Sequence, residues 1–290
     1  MTKSDFASRV LIPPNAVTPE VFHAPQDCAQ FRRVPSRPGV ELYKAHIVHH
    51  AFEPHTHEAF GLGAIASGVE RFRYGGAEHL APPNSLVLMN PDELHTGRAE
   101  TTGGWRYHML YIDPAVLADL TGEPAWWFTD AVVTHSQAQA QRVSQLLEAL
   151  WQAEEPLAFD SLLHRVMQEL RPHARVSKPL PTDKRMRFAP VLDYLHAHFE
   201  QRLTLNDLAQ VAGLSPFHFL RQFQAQVHVT PQQMLMAVRL FEAKRLLATG
   251  QAPAMVAAST GLTDQAHLTR AFARRYGVTP ARYQQQLGLK

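Results

Sequence analysis

The sequence predicts two domains. The first is an all-β barrel or jelly roll with trailing helices, and the second is an all-α domain of two helix-turn-helix units joined by a long helix. Three observations carry this reading: an imperfect repeat in the last ninety residues, a run of short alternating segments between 39 and 113, and a division of charge between the two halves. In the repeat, Ala212-Gly213-Leu214-Ser215 opens a segment that reaches His228-Val229-Thr230-Pro231, and Thr260-Gly261-Leu262-Thr263 opens one that closes at Gly277-Val278-Thr279-Pro280. Arg221 and Arg270, Phe223 and Phe272, and the two closing prolines each stand 49 positions apart. Each copy reads as an apolar helix, a glycine turn and a polar-started helix carrying an arginine. That pattern places a second helix in the major groove of DNA.

Of 290 residues, 45% are hydrophobic, enough for sizeable cores and against wholesale disorder. The only cysteine is Cys28, which excludes an intrachain disulfide or a Cys-rich zinc site. The first residues lack a signal-peptide core, and no stretch is apolar enough to span a membrane, so the expected location is the cytoplasm. Residues 183–290 carry 13 Lys/Arg against 6 Asp/Glu, whereas residues 1–182 carry 15 against 20. A basic C-terminal third beside an acidic body is the footprint expected of a nucleic-acid-binding domain.

Along the chain, residues 1–38 are proline-rich and aperiodic, an expected irregular arm. An effector-binding and dimerisation domain is expected over 39–171. Residues 40–45 and 70–74 alternate, and Gly75-Gly76 is a two-residue hairpin turn. Residues 85–89 read as a buried strand and 106–111 as another. The period then changes. Val143, Leu146, Leu147, Leu150 and Trp151 share one helical face, and Phe159, Leu162, Leu163, Val166, Met167 and Leu170 share a second. One of these helices is expected to cap the barrel, and the other could form a dimer interface. Residues 172–187 form the expected linker, and 188–290 the DNA-binding domain.

In that last domain, helices are expected from Phe188 to Phe199 and from Leu205 to Val211, the latter capped by Thr204 with Asp207 at the capping-box position. Ser215-Pro216 and Thr230-Pro231 start the next two, the second running to about Ala248 before Gly250. Pro253 to Ser259, Asp264 to Tyr276 and Pro280 to Gln286 complete the series. Leu208, Phe219, Phe223, Leu235, Leu240, Leu247, Val256, Leu268 and Phe272 lie at core spacing. Candidate DNA contacts are Phe217, His218, Arg221 and Gln222 in the first copy. In the second they are Gln265, His267, Thr269, Arg270 and Arg274, with Ala266 beside them. An arginine on a helix is ordinarily just solvated, but its recurrence at 221 and 270 favours base recognition.

The stretch from about 188 to 286 resembles the paired helix-turn-helix domain of the AraC/XylS family of bacterial transcription regulators. The resemblance rests on residues 261–272, on Arg275-Tyr276-Gly277-Val278-Thr279-Pro280, on Tyr283, and on Arg239, Ala243, Leu246 and Leu247 in the joining helix. Residues 40–113 resemble the cupin-like sensor domain of many members. The resemblance implies transcription regulation controlled by a small molecule in the barrel. It also implies base contacts at Phe217, Leu220 and Arg221 and at Gln265, Ala266 and Arg270. The implied partners are double-stranded promoter DNA, a small-molecule effector and RNA polymerase, with a homodimer possible and no membrane.

His55-Thr56-His57 matches the His-x-His of a cupin metal motif, and His95 fits the second motif. The glutamate that cupin enzymes place four or five residues later is replaced by Gly61 and Leu62. The expectation is therefore no cofactor, no metal and no enzyme. His55, His57, Arg71, His95, Trp105 and Tyr107 are candidate effector-pocket residues. The alternative is a metal-binding cupin enzyme or metal sensor using His55, His57 and His95. A further alternative is an interaction module that never touches DNA, which the basic domain argues against.

Overall fold

In the computed structural model, residues 26–123, 125–176 and 187–289 are described. Most of the expected arm and linker lie outside the described residues. The N-terminal half runs β1 (Cys28–Arg33), β2 (Val40–Ile47), β3 (Ala51–His55), β4 (Phe60–Ser67), β5 (Glu70–Tyr74), β6 (Ala77–Ala81), β7 (Leu86–Met89), β8 (His95–Ala99) and β9 (Trp105–Ile112). It continues through α1 (Pro114–Thr121), β10 (Trp127–Phe128), β11 (Val132–Val133), α2 (Gln137–Gln152), α3 (Pro156–Leu170) and β12 (Ala174–Arg175). Strand β1 falls within the segment expected to be irregular. It is a full partner of β2, with Phe31 opposite Tyr43.

A six-stranded sheet of order β1-β2-β9-β4-β7-β11 faces a four-stranded sheet of order β3-β8-β5-β6. Phe52, Phe72 and Tyr74 from the smaller sheet pack into one cluster with Tyr43, Ile47, Ile65, Val87, Tyr107 and Met109 from the larger. The β5–β6 hairpin turns on Gly75 and Gly76, both at positive φ as a two-residue turn of this kind requires. The outer face of the larger sheet is apolar too. Leu42, Leu62, Leu88 and Leu110 meet Val143, Leu147 and Leu150 of α2 and Phe159, Leu163 and Val166 of α3. Helix α2 lies against β4 and β9, and α3 packs on α2. Strand β4 is buried over its first six residues, which explains its lack of sequence alternation.

The C-terminal half is helical: α4 (Ala189–Ala197), α5 (Leu205–Val211), α6 (Pro216–Val227), α7 (Pro231–Leu247), α8 (Pro253–Ser259), α9 (Gln265–Tyr276) and α10 (Pro280–Gln286). Thr204 and Asp207 form the capping box expected of them. Thr230 and Gln233 form another at the start of α7. The two turns are built alike. Gly213 and Gly261 both take positive φ. The next amide bonds back in each, Leu214 N–H to the Ala209 carbonyl and Leu262 N–H to the Ala257 carbonyl, both at 3.0 Å. The expected core positions are buried except Leu235, which is half-buried.

The halves are joined by more than chain. One apolar cluster contains both barrel residues and Leu240, Leu247, Leu268, Phe272, Tyr276 and Tyr283 of the second helix-turn-helix unit. The first unit has its own core around Phe188, Phe219 and Phe223, against which Leu94 of the barrel packs. At the far edge, the Phe31 N–H donates to Gln286 Oε1 at 3.1 Å, and Gln286 Nε2 donates to the Ala29 carbonyl at 3.2 Å. Thus α10 lies along β1.

Candidate DNA-reading helices and ligand cavity

Helices α6 and α9 are the second helices of the two units. Each is amphipathic, burying Phe219 and Phe223 in one and Leu268, Phe272 and Tyr276 in the other. The opposite faces carry the sequence candidates. Phe217 is 73% exposed, and His218, Arg221, Gln265, Ala266, Arg270 and Arg274 are exposed. Among the described residues no ion pair or side-chain hydrogen bond engages the guanidinium of Arg221 or Arg270, and both residues are exposed. Gln222, His267 and Thr269 are only half-buried on the flanks. The Thr269 hydroxyl donates to the Gln265 carbonyl at 2.8 Å, and the Gln222 amide oxygen is buried without a partner. These two residues present less to a duplex than their spacing suggested. Helix α7, of 17 residues, separates the units by roughly 26 Å at 1.5 Å per residue.

A cavity of about 40 Å³ lies inside the barrel mouth. Its walls come from both sheets, through Tyr43, Phe52, Glu70, Met109 and Tyr111, and from the helical half, through Lys244, Arg275 and Tyr276. Three of the six candidate effector residues, His55, His57 and His95, stand together there, and Tyr107 lines it as well. Trp105 lies just behind, fully buried and stacked on Tyr107 at 5.5 Å. Arg71 is not in the cavity. It lies on the outward face of β5 and is held by Glu100 at 2.6 Å and Glu78 at 2.9 Å. Alternation decides its direction, because Glu70 and Phe72 on either side of it are buried.

The histidine cluster depends on an irregularity in β3. His55 pairs opposite His95 of β8, but the register shifts between Phe52 and His55. In a regular strand those two residues would face opposite ways; the shift turns both inward. The ring centroids lie 4.2 Å apart for His55 and His95, 4.9 Å for His55 and His57, and 5.0 Å for His57 and His95. Burial lowers all three imidazole pKa values, that of His95 to about 4. Glu70 deeper in the cavity is pushed up by burial to about 8, so it is mostly protonated at neutral pH.

Sequence reasoning missed the residues that close the cavity. Lys244 donates to Glu41 of β2 and lies over four rings, from 4.6 Å at Phe31 to 5.6 Å at Tyr283. Tyr283 donates to the other Glu41 oxygen at 2.8 Å, and Arg33 also reaches it at 2.8 Å. Burial pushes the Glu41 carboxyl pKa up, but Lys244 and Arg33 push harder the other way and hold it below its ordinary value. Arg275 donates to the Thr56 and Ala237 carbonyls, and its Nε is buried without a partner. One signal was available. Lys244 lies on the same face of α7 as Leu240 and Leu247, a cation on an apolar stripe.

Two exposed second helices on a basic domain, beside a barrel whose cavity is lined by aromatic and titratable side chains, define a DNA-binding regulator with an attached ligand-binding domain. The family patterns agree: residues 37–167 match the AraC-like ligand binding domain, and residues 208–286 match a helix-turn-helix domain. The chain belongs to the AraC family of transcription regulators. It is 27% identical over 239 residues to the uncharacterized HTH-type transcriptional regulator YbfI of Bacillus subtilis, covering 79% of this chain and 86% of that one. It is also 27% identical over 254 residues to the HTH-type transcriptional activator RhaS of an Enterobacter species, covering 81% and 88%. ToxT from Vibrio cholerae, solved with an unsaturated fatty acid bound, shares the two-domain fold at a TM-score of 0.53 and 12% identity, covering 86% of this chain and 95% of ToxT. Among the described residues no helix is long and apolar enough to cross a membrane.

Proposed function

We propose that this regulator couples an organic anion in the barrel to the placement of its second helix-turn-helix unit. The observation that carries this is the shared wall of the cavity. A volume of about 40 Å³ holds a few water molecules, whereas sites for small organic ligands run to about 300–1,000 Å³. An effector of ordinary size must therefore displace part of the wall. Sheet strands are fixed by their ladders, so the movable part is Lys244, Arg275 and Tyr276. Displacing them shifts α7 and α9, and with them the recognition face. Two cations and the unpaired Arg275 Nε favour a negatively charged group, and Phe31, Phe52, Tyr43 and Tyr111 favour an apolar or aromatic body. The fatty acid bound by ToxT has this combination of carboxylate and apolar chain.

DNA contact is assigned to Phe217, His218, Arg221, Gln265, Arg270 and Arg274, with His267, Gln222 and Thr269 at the margin. A cytoplasmic protein without enzymatic activity, acting on promoter DNA with RNA polymerase as its downstream partner, is the reading that the regulator relatives support. A homodimer is compatible with the exposed Leu157 at the start of α3, which is 72% exposed. The test is a gel shift on the DNA upstream of the chain's own gene, titrated with aliphatic and aromatic carboxylates. A carboxylate that changes operator affinity in the wild type but not in Arg275→Met supports the coupling. Ligand binding that leaves operator affinity and footprint unchanged refutes it.

A further inference from the structure

We propose that His55, His57 and His95 form a binding site for a divalent transition-metal ion of the zinc class, with a remaining position open to water or an anionic ligand group. One nitrogen from each ring lies within 4.8 Å of the others. A tetrahedral ion at about 2.0–2.1 Å from each nitrogen needs them roughly 3.3–3.4 Å apart, which small side-chain rotations supply. The rings are also held in the right sense. His55 Nδ1 lies 2.7 Å from the Glu53 carbonyl and His95 Nδ1 lies 2.9 Å from the Glu93 carbonyl. A carbonyl can only accept, so each Nδ1 carries the proton and each Nε2 keeps its lone pair. Among the described residues no hydrogen bond engages either Nε2.

The donor set decides the ion. Three imidazoles with no carboxylate or thiolate among them suit zinc, nickel, cobalt or copper, and not magnesium or calcium, which take oxygen ligands. Ordinary core packing does not account for the cluster. Three polar rings share one cavity at the barrel mouth, and the β3 register shift is what turns one of them inward. Two cations face the same space, but Lys244 is already matched by Glu41, leaving Arg275 uncompensated. An anionic group between the ion and Arg275 would satisfy both. That last point rests on the proposed effector class; the ion site itself does not.

The test uses the full-length, untagged protein, freed of metal by chelation and titrated with Co²⁺ as a visible probe. One equivalent is expected, with absorption bands of a four- or five-coordinate ion, and Zn²⁺ should displace it. His55→Gln, His57→Gln and His95→Gln should each weaken uptake beyond the roughly 10–100-fold typical of losing an outer-shell partner. His49→Gln, an exposed position, should leave it unchanged. Because a variant can fail to fold, imidazole nitrogen resonances of the wild type are followed during Zn²⁺ addition, and the Nε2 signals of His55 and His95 should shift together with one ring-nitrogen signal of His57. No uptake by the wild type, uptake undiminished in the three variants, or shifts confined to other histidines would each overturn the site. Operator binding by the metal-free protein is measured in parallel. Absent uptake with an intact carboxylate response removes the metal site and leaves the effector reading standing.

Discussion

Lys244 of α7 donates to Glu41 of β2 across 203 residues of sequence, and both side chains are buried at the junction of the two halves. Removing one partner leaves the other charged in an apolar setting, which typically costs about 3–5 kcal/mol. Lys244→Met and Glu41→Leu should each destabilise by about that much, and the double variant should recover most of the loss. A double-mutant cycle from urea unfolding measures it. Additive losses would mean that the pair is not coupled.

Arg221 and Arg270 occupy matched places on α6 and α9 and face solvent. A bidentate arginine–guanine contact is worth about 1–3 kcal/mol of discrimination. Arg221→Ala and Arg270→Ala should each lose that on the operator, with less loss on random DNA and no change in melting temperature. Equal losses on both DNAs would reduce the two residues to phosphate contacts, whose signature is a shallower salt dependence.

Glu70 supplies a pH dependence whose sign can be worked out. Its folded pKa is raised by burial to about 8 from an ordinary 4.5. Between those values the folded chain holds a proton that the unfolded chain has released, so stability falls as pH rises through this window. At about 1.4 kcal/mol per unit the full penalty above pH 8 is on the order of 5 kcal/mol. Glu70→Gln should therefore melt higher than wild type above pH 8 and match it near pH 4.5. Parallel melting curves across that range would contradict the buried, protonated carboxyl.

Gly63 lies in β4 opposite Met109, and a Cβ there would collide with the Met109 sulfur and the His108 carbonyl. Because the obstacle includes backbone, Gly63→Ala should cost about 1–3 kcal/mol through overpacking. Gly103, whose Cβ would meet nothing, is the control, and Gly103→Ala should stay within about 0.5 kcal/mol.

The helical half was legible nearly to the residue because its signals are local. Caps at Thr204, Thr230 and Thr279, prolines at helix starts and turn glycines sit beside what they specify. The barrel was legible where strands alternate, as 70–74 do, or form a short apolar run, as 85–89 do. Strand β5 was found by its alternation, whereas β4 was not, being buried over most of its length. Strand β1 was missed because its partner, β2, is what makes it a strand. The site divides similarly. The three histidines, picked out by their motif spacing, stand together in the cavity, whereas Arg71, grouped with them from the sequence, lies on the outer face of β5, since a one-residue change of parity moves a side chain to the other face. Lys244, Arg275 and Glu41 meet only through the docking of two halves, which no local pattern encodes.

The seam between β1 and α10 bears on how the open edge of the larger sheet is kept from other chains. Strand β1 ends the larger sheet, and an open sheet border of unsatisfied amides and carbonyls invites another chain to add to it. Here the border is met by a side-chain amide: Gln286 accepts from the Phe31 N–H and donates to the Ala29 carbonyl, imitating the next strand without being one. The last helix thus acts as a stopper against strand-to-strand growth. A chain cut short before residue 286 would lose that stopper while keeping its sheets, and its failure would appear as self-association before any loss of fold.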